Sequence, residues 1–242
     1  MRRVAAAAAL VGLLALAAGP RPAEAQDDRL RSLAKRYDEL SKNHDDDANR
    51  ERRYVLLDLF PYREDKSARK LLRDAWDEEK TVDNRVAVVH VLGGSGDPKD
   101  LDFLVGELKK ERLRSPVIAL GEALSFTPDD KRAEMSERAL KHLGRARDDL
   151  RVALLEGLGH LAHGDAFDPL LKLAKLDPAE RFERNVALGR CGGERALEAL
   201  TAEAADLDAA VRLSAVLGLA GVHADTAWEA VRASTLERLG TQ

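Results

Sequence analysis

From residue 53 onward the apolar residues of this chain recur in a pattern that restarts about every thirty residues. The run Arg151-Val152-Ala153-Leu154-Leu155-Glu156-Gly157-Leu158-Gly159 matches Arg85-Val86-Ala87-Val88-Val89-His90-Val91-Leu92-Gly93. It also matches Arg212-Leu213-Ser214-Ala215-Val216-Leu217-Gly218-Leu219-Ala220. Each run opens with arginine, continues apolar, and closes with leucine and a tiny residue. Looser copies start at Arg53 (Tyr54, Leu57, Phe60), Pro116 (Val117, Leu120, Ala123) and Arg184 (Asn185, Leu188, Cys191). The starts at 53, 85, 116, 151, 184 and 212 lie 32, 31, 35, 33 and 28 residues apart. A period in that range is the mark of stacked helix pairs. Apolar residues at +1, +4 and +7 from each start, such as Val86, Val89 and Leu92, make one stripe on a helix.

A second apolar stripe follows in each unit. Asp97-Pro98 precedes Leu101, Leu104 and Leu108, with Asp97 placed to cap the helix and Pro98 in its first turn. Gly164-Asp165 precedes Phe167, Leu170, Leu171 and Leu173, with Asp165 again placed as an N-cap. Gly192-Gly193 precedes Leu197 and Leu200, and Asp225-Thr226 precedes Val231 and Leu236. Ser67 to Trp76 and Glu134 to Leu143 complete the set. The pattern predicts an all-α fold, an α-α superhelix or solenoid of about six helical hairpins. Asp28 to Ser41, with Leu30, Leu33, Tyr37 and Leu40 at helical spacing, predicts an N-terminal capping helix. Asparagine at 185 and proline at 116 depart from the pattern and predict irregular units.

Residues 1–25 read differently. A basic start (Arg2-Arg3), an unbroken apolar stretch from Val4 to Ala18, a Gly19-Pro20 break and Ala23-Glu24-Ala25 make a secretory signal with cleavage before Gln26. The stretch is short for a membrane span, which needs about 20 residues. The expected organisation is a signal at 1–25, a capping helix and polar link at 26–48, and a repeat domain at 49–242. The product is then secreted or periplasmic, with no membrane insertion after signal removal. Losing Arg2, Arg3, Arg21 and Glu24 takes the formal charge from −4 to −6. An acidic chain with 4% aromatic residues is a poor nucleic-acid ligand. Cys191 is the sole cysteine, so no internal disulfide forms; it falls at a core position.

Two of these units carry a resemblance. The run from Asp83-Asn84-Arg85 through Leu92-Gly93-Gly94-Ser95-Gly96-Asp97-Pro98-Lys99-Asp100-Leu101, and the run Asp149-Leu150-Arg151 to Gly164-Asp165, resemble HEAT-like repeats of the bilin-lyase type. The resemblance implies antiparallel helix pairs with the second helices lining a concave face, and a scaffold that binds a protein partner. Iron-dependent hydroxylases built on such repeats use His-Glu dipeptides, and none occurs here. Helical-repeat DNA glycosylases need a basic, aromatic groove, which this composition does not supply.

The remaining chemistry is sparse, and the expectation is a non-enzyme without cofactors. His160 and His163, three residues apart with Asp165 beyond, form the best local metal candidate and the basis of an alternative, metal-dependent or lyase-like reading. A helix ending at Gly159 would leave them without shared geometry, and a zinc site wants three or four ligands. His44-Asp45-Asp46-Asp47 lacks the glycine and glutamate of a calcium loop and reads as a solvated link. Gly93-Gly94-Ser95-Gly96 lacks the Lys-Ser/Thr of a phosphate loop and reads as a turn. Trp76 and Trp228 read as core residues before partner anchors.

Overall fold

The computed structural model describes residues 23–222, apart from residue 44. Every regular element among them is helical. The fold is an all-α array of solenoid type, and its contacts divide the described residues into two compact units, with the boundary between Leu92 and Gly93. No composition shift marks that boundary. The expected signal up to residue 22, Trp228 and the second helix of the sixth hairpin lie outside the described residues.

The first unit contains α1 (Ala23–Ser41), α2 (Asp46–Asp58), α3 (Lys66–Glu78) and α4 (Val82–Gly93, whose last residue belongs to the second unit). α1 is the predicted capping helix, begun five residues earlier than the pattern suggested. It lies on α2 and α3, burying Leu33 and Tyr37. The second unit contains α5 (Pro98–Leu108), α6 (Arg114–Ala123), α7 (Arg132–Leu143), α8 (Asp148–Leu161), α9 (Phe167–Leu171), α10 (Pro178–Gly192), α11 (Leu197–Ala204) and α12 (Ala209–Ala220).

Aspartate starts many of these helices. Asp45, Asp65, Asp97, Asp177 and Asp208 each accept a hydrogen bond from a first-turn N–H, the stabilising N-cap arrangement. Asp177 and Glu180 form a reciprocal capping box. Asp165 does not cap: it sits inside a short 3₁₀ turn, Gly164–Ala166, whose preceding residue is His163. That turn leaves room for only the five-residue α9, so Leu171 is exposed where a longer stripe was expected.

The repeating arginine has a local job. Arg85 Nε donates to the carbonyl of Glu79 at 3.0 Å, and Arg212 Nη1 donates to that of Asp206 at 3.1 Å. Both reach back six residues, holding the turn before their helix. Small residues within and at the ends of these helices permit close packing. In the second unit α6, α8, α10 and α12 pack successively on one another. A Cβ at Gly189 would stand 1.8 Å from the Gly218 carbonyl oxygen, and one at Gly159 3.2 Å from Ala187 Cα. Helices this close bury more than the predicted stripe. In α8, Ala153, Leu154, Leu155, Gly157, Leu158, Gly159 and Leu161 are buried while Val152, at the predicted +1 position, is only partly covered.

Two stripe predictions fail in register. In α2 the buried set is Ala48, Arg52, Val55 and Leu56, with Tyr54 54% exposed; of the predicted stripe only Phe60, just beyond α2, is buried. In α12, Leu213 and Val216 are exposed and Ser214, Ala215, Gly218 and Leu219 are buried. The irregular Asn185 has an explanation: its Nδ2 donates to Ser214 Oγ at 2.9 Å, with both residues fully buried between α10 and α12. Trp76 is buried as expected, with the Arg85 guanidinium 5.0 Å from its ring. Cys191 is buried too.

Candidate functional site

His160 and His163 do not sit as the pattern suggested. α8 runs past Gly159 to Leu161, which places His160 in its last turn. Ala162, with φ of 49°, then ends the helix and puts His163 on the following turn. His160 Nδ1 accepts from Arg190 at 3.2 Å, and its Nε2 lies 3.8 Å from Glu156. His163 Nδ1 is buried without a hydrogen-bond partner, 3.6 Å from the carboxylate of the highly exposed Asp165. One histidine therefore faces a guanidinium, and the other is held by the turn. Among the described residues, no three His, Cys, Asp or Glu side chains converge as a metal-binding group.

The other candidates are placed as follows. Asp45 is the N-cap of α2, and the N–H of Ala48 together with the Asn43 side chain holds its carboxyl below the usual range. His44 lies outside the described residues. Gly94 to Gly96 make the predicted turn after α4, closed by Ser95 donating to the buried Asp100 at 2.8 Å, with Gly96 at φ 74°. Cys191 Sγ donates to the Leu158 carbonyl at 3.5 Å, and burial pushes its thiol up to about 11.

The first unit holds a buried polar cluster that no motif announces. Glu79 is 1% exposed. Its Oε1 accepts from Arg52 Nε at 2.9 Å and from Tyr37 Oη at 2.8 Å; its Oε2 accepts from Asn84 at 2.7 Å. Arg52 also donates to the carbonyls of Leu40 and Asn43 and to the Asn49 side chain. Burial and the Glu79 carboxylate push the Tyr37 phenol above its ordinary value. Every partner is a protein group, so the cluster ties α1 to the helices beneath it.

Charge pairs also recur between successive first helices: Arg53 with Asp83, Arg114 with Asp149 at 3.1 Å, and Arg151 with Glu180 at 3.2 Å. In the second unit this series borders a cleft of about 370 Å³ between the α5–α6 turn and the α7–α8 turn. Leu108, Val117 and Leu150 form a buried floor and Leu113 a half-exposed one. Lys109, Arg112, Arg114, Arg145 and Arg147 stand exposed around it, with Glu111, Asp148 and Asp149. Leu113 and Arg147 occupy the N-cap positions here and make no side-chain cap, as at Lys131, Ala166 and Ala196, whereas α5, α10 and α12 start from aspartate.

No protein-family model matches the sequence, and no curated protein matches it. Among solved structures, a designed armadillo repeat protein is similar at 14% identity and a TM-score of 0.42, over 82% of this chain and 99% of that one. No helix among the described residues is long and apolar enough to cross a membrane.

Proposed function

We propose that the chain is an exported scaffold of HEAT-like repeats that binds a protein partner through its exposed repeat surface and performs no catalysis of its own. The observation that carries this reading is the open cleft of the second unit, an apolar floor rimmed by cations, on a chain of net charge −4. In repeat arrays the buried faces join neighbours, while exposed turns are free to acquire binding side chains. Three groups that could do chemistry are engaged in holding the fold: Cys191 by burial, His142 by Asp102 at 2.6 Å, and His160 by Arg190. Assignment to HEAT-like repeats rests on the runs 83–101 and 149–165, and export on the pattern of residues 1–25.

Crosslinking followed by affinity capture from the native extract tests the scaffold. The expected result is one protein recovered in fixed stoichiometry; a chain that always elutes alone refutes it. Export predicts an N-terminus at Gln26 in the envelope or medium, and an intact Met1 refutes that part. One observation favours a metal-dependent alternative, the orphaned Nδ1 of His163. Its test is metal content of the purified chain before and after His160→Ala/His163→Ala.

A further inference from the structure

We infer that the cleft between the α5–α6 and α7–α8 turns receives an acidic segment of the partner protein, with carboxylates on the cationic rim and an apolar side chain on the floor. The inference rests on the scaffold reading and narrows it to a place and a chemistry. The rim is over-supplied with positive charge. Asp149 is held by Arg114 at 3.1 Å. Glu111 Oε1 is taken up by the backbone N–H groups of Arg112 and Leu113, at 2.8 and 2.9 Å. Glu111 and Asp148 are then the carboxylates left against Lys109, Arg112, Arg145 and Arg147, so a lining of five cations and three carboxylates keeps a surplus of two positive charges.

A surplus of two positive charges around one concavity raises the local potential, although the chain as a whole is acidic. Guanidinium groups bind carboxylates in planar, two-pronged fashion, so three arginines on one rim favour carboxylate ligands. The floor decides the class of ligand. Leu108, Val117 and Leu150 are aliphatic, and no aromatic side chain lines the cleft. Single-stranded nucleic acids are held by stacking on aromatics, and there are none here to stack on. A volume of about 370 Å³ is sufficient for a few side chains. Acidic side chains flanking a Leu-like residue satisfy both rim and floor.

Random short peptides displayed on phage, selected against the purified full chain, test this. Peptides rich in Asp and Glu around an apolar residue are expected. Their affinity, read by fluorescence anisotropy, should weaken as salt rises. It should fall roughly tenfold or more in Arg112→Gln/Arg145→Gln/Arg147→Gln, the equivalent of about 1.4 kcal/mol. The control Lys35→Gln/Lys42→Gln/Lys70→Gln removes the same charge from the first unit and should bind as the parent does. Circular dichroism checks that both variants fold. Selected peptides without acidic character, equal losses in the two variants, or displacement of the peptides by an oligothymidylate or phosphatidylglycerol vesicles would overturn the inference. If the arginine variant still captures the same partner from the native extract, the cleft is wrong and the scaffold stands. If the parent captures nothing, the scaffold reading itself fails.

Discussion

Glu183 of α10 gives the sharpest handle on stability. Burial, and secondarily the charge of Glu156 on α8, push its carboxyl up to about 7 from an ordinary 4.5; His160 and Arg190 pull the other way. One pKa unit corresponds to about 1.4 kcal/mol, so the interval is worth roughly 3 kcal/mol before screening. The side chain is only partly buried, and solvent screening reduces the measurable share to about 1–2 kcal/mol. The sign follows from proton counting. Below about pH 4.5 both folded and unfolded chains carry the proton, and nothing is lost. Between 4.5 and about 7 the unfolded chain releases it first, so stability falls as pH rises, then levels off. Glu183→Gln removes this slope. At about pH 8 the variant should melt about 4 °C above the parent, given the usual relation between free energy and melting temperature at this size. Below about pH 4 the two curves should coincide. Melting scans across pH read both ends. Parallel curves at all pH values, or a variant less stable at pH 8, would show that Glu183 is not held in an unfavourable setting.

Three further perturbations probe the frame. Arg52→Ala strips the buried Glu79 of its counter-charge and should cost about 3–5 kcal/mol in urea unfolding, with faster hydrogen exchange in α1–α4; a loss under about 1 kcal/mol would mean water already neutralises Glu79. Gly189→Ala drives a methyl into the Gly218 carbonyl, whereas nothing lies within 4 Å of a Cβ at Gly106. The first should destabilise by about 3 kcal/mol or more and the second stabilise by about 1 kcal/mol, and similar effects from both would refute the close α10–α12 contact. Cys191, buried with its thiol raised to about 11, should resist iodoacetamide at about pH 8 until the chain is unfolded; stoichiometric labelling of the native chain by mass spectrometry would contradict its placement.

The helices were legible in the sequence because burial repeats with the chain. Leu101, Leu104 and Leu108 are all buried as their spacing predicts, and Asp97 caps where it should. What misled was the width of the buried face. A +1, +4, +7 stripe describes a helix covered on one side, but α8 is covered by α6, α7 and α10. Its small residues at 153, 157 and 159 are as buried as its leucines. The same effect hid the register of α2. Arginine reads as a solvated residue, so the pattern starts the repeat at Arg53, which pairs with the exposed Asp83, whereas the core position is the neighbouring Arg52.

The candidate site was illegible for a different reason. Its cations come from two turns about 35 residues apart, and each turn alone looks like an ordinary polar connection. Aspartate at an N-cap both stabilises a helix and offsets nearby positive charge. At 113 and 147 the chain places leucine and arginine where the turns before α10 and α12 place Asp177 and Asp208. Each substitution forgoes a stabilising cap, typically about 1 kcal/mol. The helices with Lys131, Ala166 and Ala196 at the N-cap also lack a side-chain cap, so the missing caps bear on stability, and it is the cations on these two turns that bear on a partner. Restoring the caps with Leu113→Asp and Arg147→Asp should therefore raise thermal stability while abolishing capture of acidic peptides. Stability that fails to rise would show that the caps were never the cost, and peptide binding that survives would show that the rim was never the site.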